Sequence, residues 1–198
     1  MKKIIDLKGI ILQVFFISTL LIGLSSCTDD KKTSDTKEVA ESRNDSAIDN
    51  NNKEKDAQFL VNATEIYLTE IKLGQLAQQK AKMADVKGLG KMMEEDHTKT
   101  LAEVTNLAMN KTIKVPASLT EKGMDANNKL SDMPAKDFDK AYCDMMVNGH
   151  KDAIDMFQKA SAECSDADIK AWASEKLPHL QMHLDKSMAC QTKLNKIK

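Results

Sequence analysis

Five titratable side chains fall at positions where the helical pattern of this sequence calls for apolar residues. They are Glu70, His97, His150, His179 and His183. At a rise of about 1.5 Å per residue, each of them lies roughly 18–27 Å along its helix from the nearest predicted interhelical turn. The spacing therefore predicts a single polar layer halfway along a helical bundle.

A layer of one carboxylate and several imidazoles inside a bundle is typical of a metal site. The predicted ligands are Glu70, His97, His150 and His183, with Glu94, Asp96 and His179 as additional candidates. Glu94 precedes His97 with the Glu-x-x-His spacing of ferritin-like carboxylate proteins, but the helices of His150 and His183 lack matching carboxylates, so a di-iron centre is not favoured. A His-rich set suits zinc, copper or a single iron.

Met93 and Met146 each stand one turn before a histidine of the layer, where a thioether would suit Cu(I). A second interpretation stays open, in which Glu70 pairs with His97 and His150 as a buried polar network. Such a network would fix the register of the helices without binding anything.

The positioning elements are predicted to be helices, because apolar residues recur with helical spacing from residue 57 onward. Helix A is expected over 57–84, helix B after a cap at Asp85, helix C over 135–164, and helix D after a cap at Ser165 or Asp166. A connector between B and C carries one weak helix near 118–133. The fold class is all-α, a four-helix bundle of two hairpins joined by that connector.

The amino-terminal 26 residues have the pattern of a secretory signal peptide. Three lysines within the first eight residues precede an almost wholly apolar run over 10–24, too short to span a membrane comfortably. The Leu-Ser-Ser that precedes Cys27 resembles the lipobox of bacterial lipoproteins, so we expect Cys27 to carry a lipid. Several acyl chains make such an anchor effectively permanent.

Residues 28–56 are polar and are expected to form a disordered tether between the lipidated Cys27 and a folded domain over 57–198. A short acidic patch after Cys27 resembles the surface-export signal of Bacteroidetes lipoproteins. The chain has a net charge of −1, and loss of a leader with three lysines and one aspartate leaves about −3. That balance argues against nucleic acid as a partner.

Three cysteines follow Cys27 in the chain. Cys143 lies about 22 residues before the predicted C–D turn and Cys190 about 25 after it, which places them at similar heights in an antiparallel hairpin. An exported domain sits in an oxidising compartment, so a Cys143–Cys190 disulfide is predicted, with Cys164 unpaired. The absence of Cys-x-x-Cys argues against thiol–disulfide catalysis.

Several motifs, in this order, resemble family 4142 of the domains of unknown function. They are Glu70-Ile-Lys-Leu-Gly-Gln-Leu-Ala77, Met93-x-x-Asp96-His97, Phe138-Asp139-x-x-Tyr142 with His150, and Leu177-Pro178-x-Leu180-x-x-His183-Leu184. The resemblance runs over about 57–194 and implies an exported, ferritin-like bundle of the bacterial envelope, often labelled an outer-membrane protein. It also implies that Asp96-His97, His150 and His183 matter, and it implies no established activity.

The leading interpretation is an envelope lipoprotein without enzymatic activity, whose bundle binds a transition metal. One alternative is a ferritin-like metal oxidase or storage protein, and another is a structural or partner-binding module. The sequence has no Gly-rich phosphate loop and no Gly-x-Ser-x-Gly motif. The expected location is the outer membrane, facing the periplasm or the cell surface, with the membrane as partner through the lipid anchor.

Overall fold

The computed structural model describes residues 35–196, which form six α-helices. The helices are α1 (Thr36–Ala47), α2 (Asn51–Lys80), α3 (Ala84–Asn110), α4 (Glu121–Ser131), α5 (Ala135–Glu163) and α6 (Ala167–Lys196). Across this part of the chain, no helix combines the length and apolarity needed to cross a bilayer. The predicted signal peptide and Cys27 lie outside the described residues.

The predicted all-α architecture is confirmed. Helices α2, α3, α5 and α6 are the four predicted long helices, and α4 is the predicted connector helix. Helices α2 and α3 pack as one hairpin and α5 and α6 as another, while α2 contacts α5 and α3 contacts α6 between the hairpins. Helix α6 continues through Pro178 without an interruption.

Two buried carboxylates accept hydrogen bonds from the interhelical turns, and these contacts show how the two hairpins are arranged. Asp139, near the start of α5, accepts hydrogen bonds from the backbone N–H groups of Lys82 and Met83 in the α2–α3 turn, at 3.0 and 2.8 Å. Asp56, near the start of α2, accepts from the backbone N–H and the hydroxyl of Ser165 in the α5–α6 turn, at 2.9 and 2.6 Å. The start of α5 therefore lies at the α2–α3 turn, and the α3–α5 connector crosses the full length of the bundle.

The segment expected to be a tether contains α1 and the first turn of α2, so the prediction of disorder is wrong there. Ala40 is buried, and the amide of Asn44 donates to and accepts from the backbone of Lys114, both at 2.8 Å. Lys37 forms an ion pair with the buried Glu65 of α2 at 2.9 Å. Polar side chains that satisfy distant backbone groups order this segment, which a criterion based on hydrophobicity overlooks.

The hydrophobic core consists of two clusters, one on each side of the middle of the bundle. One contains Phe59, Phe157 and Trp172, and the other contains Leu89 and Phe138. On each of the four long helices, the residues of one cluster precede a buried polar position and those of the other follow it. The core is thus interrupted by one polar layer.

Helices α2 and α3 touch through their backbones at a pair of glycines. A methyl group on Gly74 would lie 2.5 Å from the carbonyl oxygen of Gly90, and one on Gly90 would lie 2.8 Å from that of Gly74. Both distances are too short for a carbon atom, so the absence of side chains at these positions is required for the close packing of this hairpin.

We predict that Gly90→Ala lowers the free energy of unfolding by about 1–3 kcal/mol, because the added methyl group overpacks the α2–α3 contact. Gly88 lies on the same helix with no atom within 4 Å of an added methyl group. Gly88→Ala should instead stabilise the protein by about 0.5–1 kcal/mol through helix propensity alone. Denaturant unfolding of both variants tests this, and two changes of the same sign would contradict the packing argument.

Candidate metal centre

Three buried histidines meet at the middle of the bundle. His97 comes from α3, His150 from α5 and His183 from α6, and each is at most 2% exposed. One potential ligand nitrogen from each lies within 4.8 Å of the other two. The structure therefore brings together the three histidines that the sequence placed at one height.

Glu70 of α2 completes the layer from the fourth helix. Its Oε2 atom lies 2.7 Å from Nε2 of His97, and its Oε1 atom lies 3.6 Å from Nδ1 of His150. Burial acts to raise the pKa of this carboxyl, but its electrostatic interactions with His150, His97 and His183 and its close contact with His97 outweigh burial and lower the pKa to about 2. The layer therefore holds an ionised carboxylate among imidazoles.

Two of the histidines are oriented by groups that only accept hydrogen bonds. Nδ1 of His150 lies 2.9 Å from the carbonyl oxygen of Met146, and Nε2 of His183 lies 3.2 Å from a carboxylate oxygen of Asp96. Because these partners cannot donate, the two ring nitrogens carry the protons. The lone pairs are then on Nε2 of His150 and Nδ1 of His183, an arrangement that metal-binding histidines commonly show.

Unsatisfied polar atoms concentrate in this layer. Among the described residues, seven buried side-chain oxygen or nitrogen atoms have no hydrogen-bond partner. Five belong here, on Tyr67, Glu70, His97, His150 and His183. Of these, Oε2 of Glu70 and Nε2 of His97 lie 2.7 Å from each other in a close polar contact, whereas the atoms of Tyr67, His150 and His183 have no polar partner. Native proteins rarely leave buried polar atoms unpaired, so the layer has an unused capacity for a ligand.

The additional candidates from the sequence lie outside this group. Glu94 accepts hydrogen bonds from Gln75 and Gln78 at 2.8 and 2.6 Å, and its role as an additional ligand stays a prediction. His179 is exposed, one turn from His183. Asp96 contacts His183 from outside the layer rather than facing its centre. Met146 contributes its carbonyl oxygen to the orientation of His150.

Tyr67 also belongs to the layer, although it is not among the site residues predicted from the sequence. Its ring centroid lies 5.2 Å from that of His97, and its hydroxyl group is buried without a partner. Burial and the negative charge of Glu70 raise its pKa well above the ordinary value. Tyr67 lies three residues before Glu70 and therefore on the same face of α2. This spacing could have predicted its place in the layer.

The three cysteines of the described chain are free thiols. Cys143 and Cys190 lie in hydrogen-bond contact with each other, and this contact raises the pKa of Cys143. The two residues proposed for a disulfide are therefore neighbours, and the bridge itself stays a prediction. Burial raises the pKa of the third thiol, Cys164, to about 12.

Residues 41–190 match the family model of the domain of unknown function DUF4142. The chain belongs to this family. The DUF4142 match covers every residue of the polar layer and begins inside α1. No curated protein matches the chain in sequence.

A solved structure described as CopM in the Cu(II)-bound form is similar to this DUF4142 chain. The two chains share 15% sequence identity with a TM-score of 0.59, and the match covers 70% of this chain and 97% of that one. At this level of identity the similarity establishes the helical-bundle fold alone.

We predict that the metal-free protein loses stability as the pH falls from about 6.5 to about 4. Burial, with His97 and His150 nearby, lowers the pKa of His183 from 6.5 to about 4. In this window the unfolded chain binds a proton at His183 that the folded chain does not, so the free energy of unfolding decreases with acidification. Glu70 adds a further loss below its ordinary pKa of 4.5, down to about 2.

Denaturant unfolding in the presence of a chelator, at several pH values across this window, measures the slope. His183→Asn should reduce it, and the exposed neighbour His179 provides the matched control, His179→Asn, which should leave it unchanged. Equal slopes in the wild type and in His183→Asn would contradict the assignment.

Proposed function

We propose that this DUF4142 protein binds one copper(II) ion in the polar layer, with His97, His150 and His183 as ligands and Glu70 as a fourth ligand or charge partner. The observation that carries the proposal is the convergence of three buried imidazoles, each of which offers a ligand nitrogen within 4.8 Å of the others. Nε2 of His150 and Nδ1 of His183 have no hydrogen-bond partner, and Nε2 of His97 contacts the carboxylate of Glu70, which a bound ion would share.

The electrostatics of the layer support a cation. Glu70 is ionised and 5% exposed, and a buried carboxylate requires positive charge nearby. His183 is held neutral at neutral pH, because burial and the other imidazoles lower its pKa to about 4. Neutral imidazole is the form that binds metal, so proton competition at His183 is weak under ordinary conditions. A divalent ion would satisfy both the carboxylate and the open nitrogens.

The donor set favours copper among the divalent metals. Three imidazoles and one carboxylate are nitrogen and oxygen donors, for which Cu²⁺ has the highest affinity in the first-row series. The similar bundle of CopM was solved in a Cu(II)-bound form. A ferritin-like di-iron centre is less suitable, because Glu70 contacts His97 and His150, Asp96 contacts His183, and Glu94 is hydrogen-bonded to two glutamines instead of a histidine.

A purely structural network is the main rival, and the unsatisfied atoms argue against it. A network that exists to fix helix register gains stability only when its members are fully satisfied. Here the hydroxyl group of Tyr67, Nε2 of His150 and Nδ1 of His183 have no partner. A bound ion accounts for the histidine nitrogens and the carboxylate oxygen together.

Titration of the metal-free protein with Cu(II), followed by electron paramagnetic resonance and by competition with a chelator, tests the proposal. We expect one ion per chain with nitrogen ligands. His150→Ala removes a ligand and should weaken binding by at least about 100-fold, while Asp96→Asn, which changes the partner that orients His183, should cost about 10–100-fold. The exposed His179 provides the control, since His179→Ala should bind as the wild type does.

Binding that depends on His179 but not on His150, or no binding above the background of the double variant His97→Ala/His183→Ala, would contradict the site. A parallel titration with Zn(II) tests the choice of metal. Tighter binding of zinc than of copper would retain the site and overturn copper as its occupant.

The proposal places this function at the bacterial envelope, with the domain held to a membrane by a lipid on Cys27. We predict that Cys27→Ser moves the protein from the membrane fraction of its native host to the soluble fraction, because acylation requires the thiol and the acyl chains provide the anchor. Immunoblotting of the two fractions measures this. Ser25→Ala leaves the thiol in place and serves as the control, and equal membrane association of Cys27→Ser and the wild type would contradict the anchor.

A further inference from the structure

A groove on the α2–α5 face of the bundle leads to the polar layer. Its cavity has a volume of about 240 Å³ and is lined by Glu70 together with Met145, Met146 and Gly149 of α5. Glu70 belongs to the groove and to the layer at once, because its Oε2 atom also lies 2.7 Å from Nε2 of His97. This carboxylate therefore separates the groove from the imidazoles.

Two other approaches to the layer are blocked. Along the bundle axis, the two hydrophobic clusters fill the core on both sides. The α3–α6 face has only a crevice of about 10 Å³, hardly enough for one water molecule. Lys176 lines that crevice and is bound to Glu103 and Glu175 at 2.5 and 2.9 Å.

The charges along the α2–α5 groove favour a cation. Three carboxylates line it, those of Glu65, Glu70 and Asp152, against the single ammonium group of Lys122. Glu65 lies 2.9 Å from Lys37 on α1 and 3.8 Å from Lys122, so these two lysines carry one more charge than Glu65. The exposed Asp152 balances that charge, which leaves the negative charge of the buried Glu70 at the inner end of the groove. A negative charge at the end of a cleft attracts cations.

Gly149 keeps this groove open beside Glu70. A glycine inside a helix costs about 0.5–1 kcal/mol relative to alanine, so its presence within α5 calls for a reason. A methyl group at this position would lie 3.4 Å from Oε1 of Glu70, at the limit of ordinary contact. A longer side chain would fill the space over the carboxylate.

We propose that this groove is the route by which a hydrated divalent metal ion enters and leaves the polar layer, with Glu70 as the first ligand that it meets and Gly149 as the residue that keeps the route open. The ion exchanges water molecules for the carboxylate in the groove, and then for the imidazole nitrogens behind it. This inference rests on the proposed metal site and adds the path that loads it.

Stopped-flow mixing with Cu(II) tests the route through the fluorescence of Trp172, the single tryptophan of the chain. Trp172 lies 6.4 Å from Tyr67 between ring centroids, close enough to the layer for copper to quench it. Gly149→Leu should slow association and dissociation together, each by about tenfold or more, and leave the equilibrium affinity within about twofold. Gly88→Leu, on the exposed surface of α3, should change neither rate.

A pair of charge reversals on α5 tests the route without filling the groove. Asp152 lines the groove, whereas Asp155, also exposed and on the same helix, does not. Asp152→Lys should slow association by about three- to tenfold at low ionic strength, and the effect should shrink as salt screens the charges. Asp155→Lys should have a markedly smaller effect.

Two results would overturn the route while leaving the proposed function intact. The first is unchanged rates in both Gly149→Leu and Asp152→Lys, which would place entry elsewhere. The second is a loss of affinity in Gly149→Leu through faster dissociation alone, which would make Gly149 part of the packing around the ligands. Failure of the wild type to bind copper at all would overturn the proposed function and the route together.

Discussion

The contact between an ionised carboxylate and three imidazoles, buried at the middle of a helical bundle, is the interaction on which the remainder of the structure depends. Glu70 lies 2.7 Å from His97 and 3.6 Å from His150, almost out of reach of water. Removing a carboxylate from water costs several kcal/mol, so such a group persists only where its partners are held close. Each of the four partners comes from a different helix, and the layer therefore requires all four long helices to be at the correct height.

Several features of the chain fix that height. Asp139 holds the α2–α3 turn against α5, and Asp56 holds the α5–α6 turn against α2, so each hairpin is attached to the other at one end of the bundle. The contact between Gly74 and Gly90 sets the spacing within the first hairpin. A helix displaced by one turn moves its side chains by about 5.4 Å, which would separate any histidine from the layer. Burial of the two hydrophobic clusters stabilises the bundle. The hydrogen bonds of Asp56 and Asp139 and the contact between Gly74 and Gly90 fix the register of the helices.

The sequence predicted the helices and the polar layer because both follow from helical periodicity. Glu70, His97, His150 and His183 lie near the middle of their helices, so their common height did not depend on whether the connector turns back or crosses the bundle. Other features arise from long-range hydrogen bonds that periodicity does not encode. Asn44 holds α1 against the backbone of Lys114, in a segment that was expected to be disordered, and Glu94 accepts hydrogen bonds from Gln75 and Gln78. Asp56 and Asp139 were likewise unpredictable from spacing alone, because their partners are turns more than 50 residues away.

The central claim is that the polar layer coordinates one metal ion, and X-ray diffraction at the copper absorption edge tests it most directly. Crystals grown with one equivalent of Cu(II) should give a single strong anomalous peak, within coordination distance of nitrogens from His97, His150 and His183. A peak at the exposed His179 or elsewhere on the surface, with the layer devoid of anomalous signal, would contradict the account.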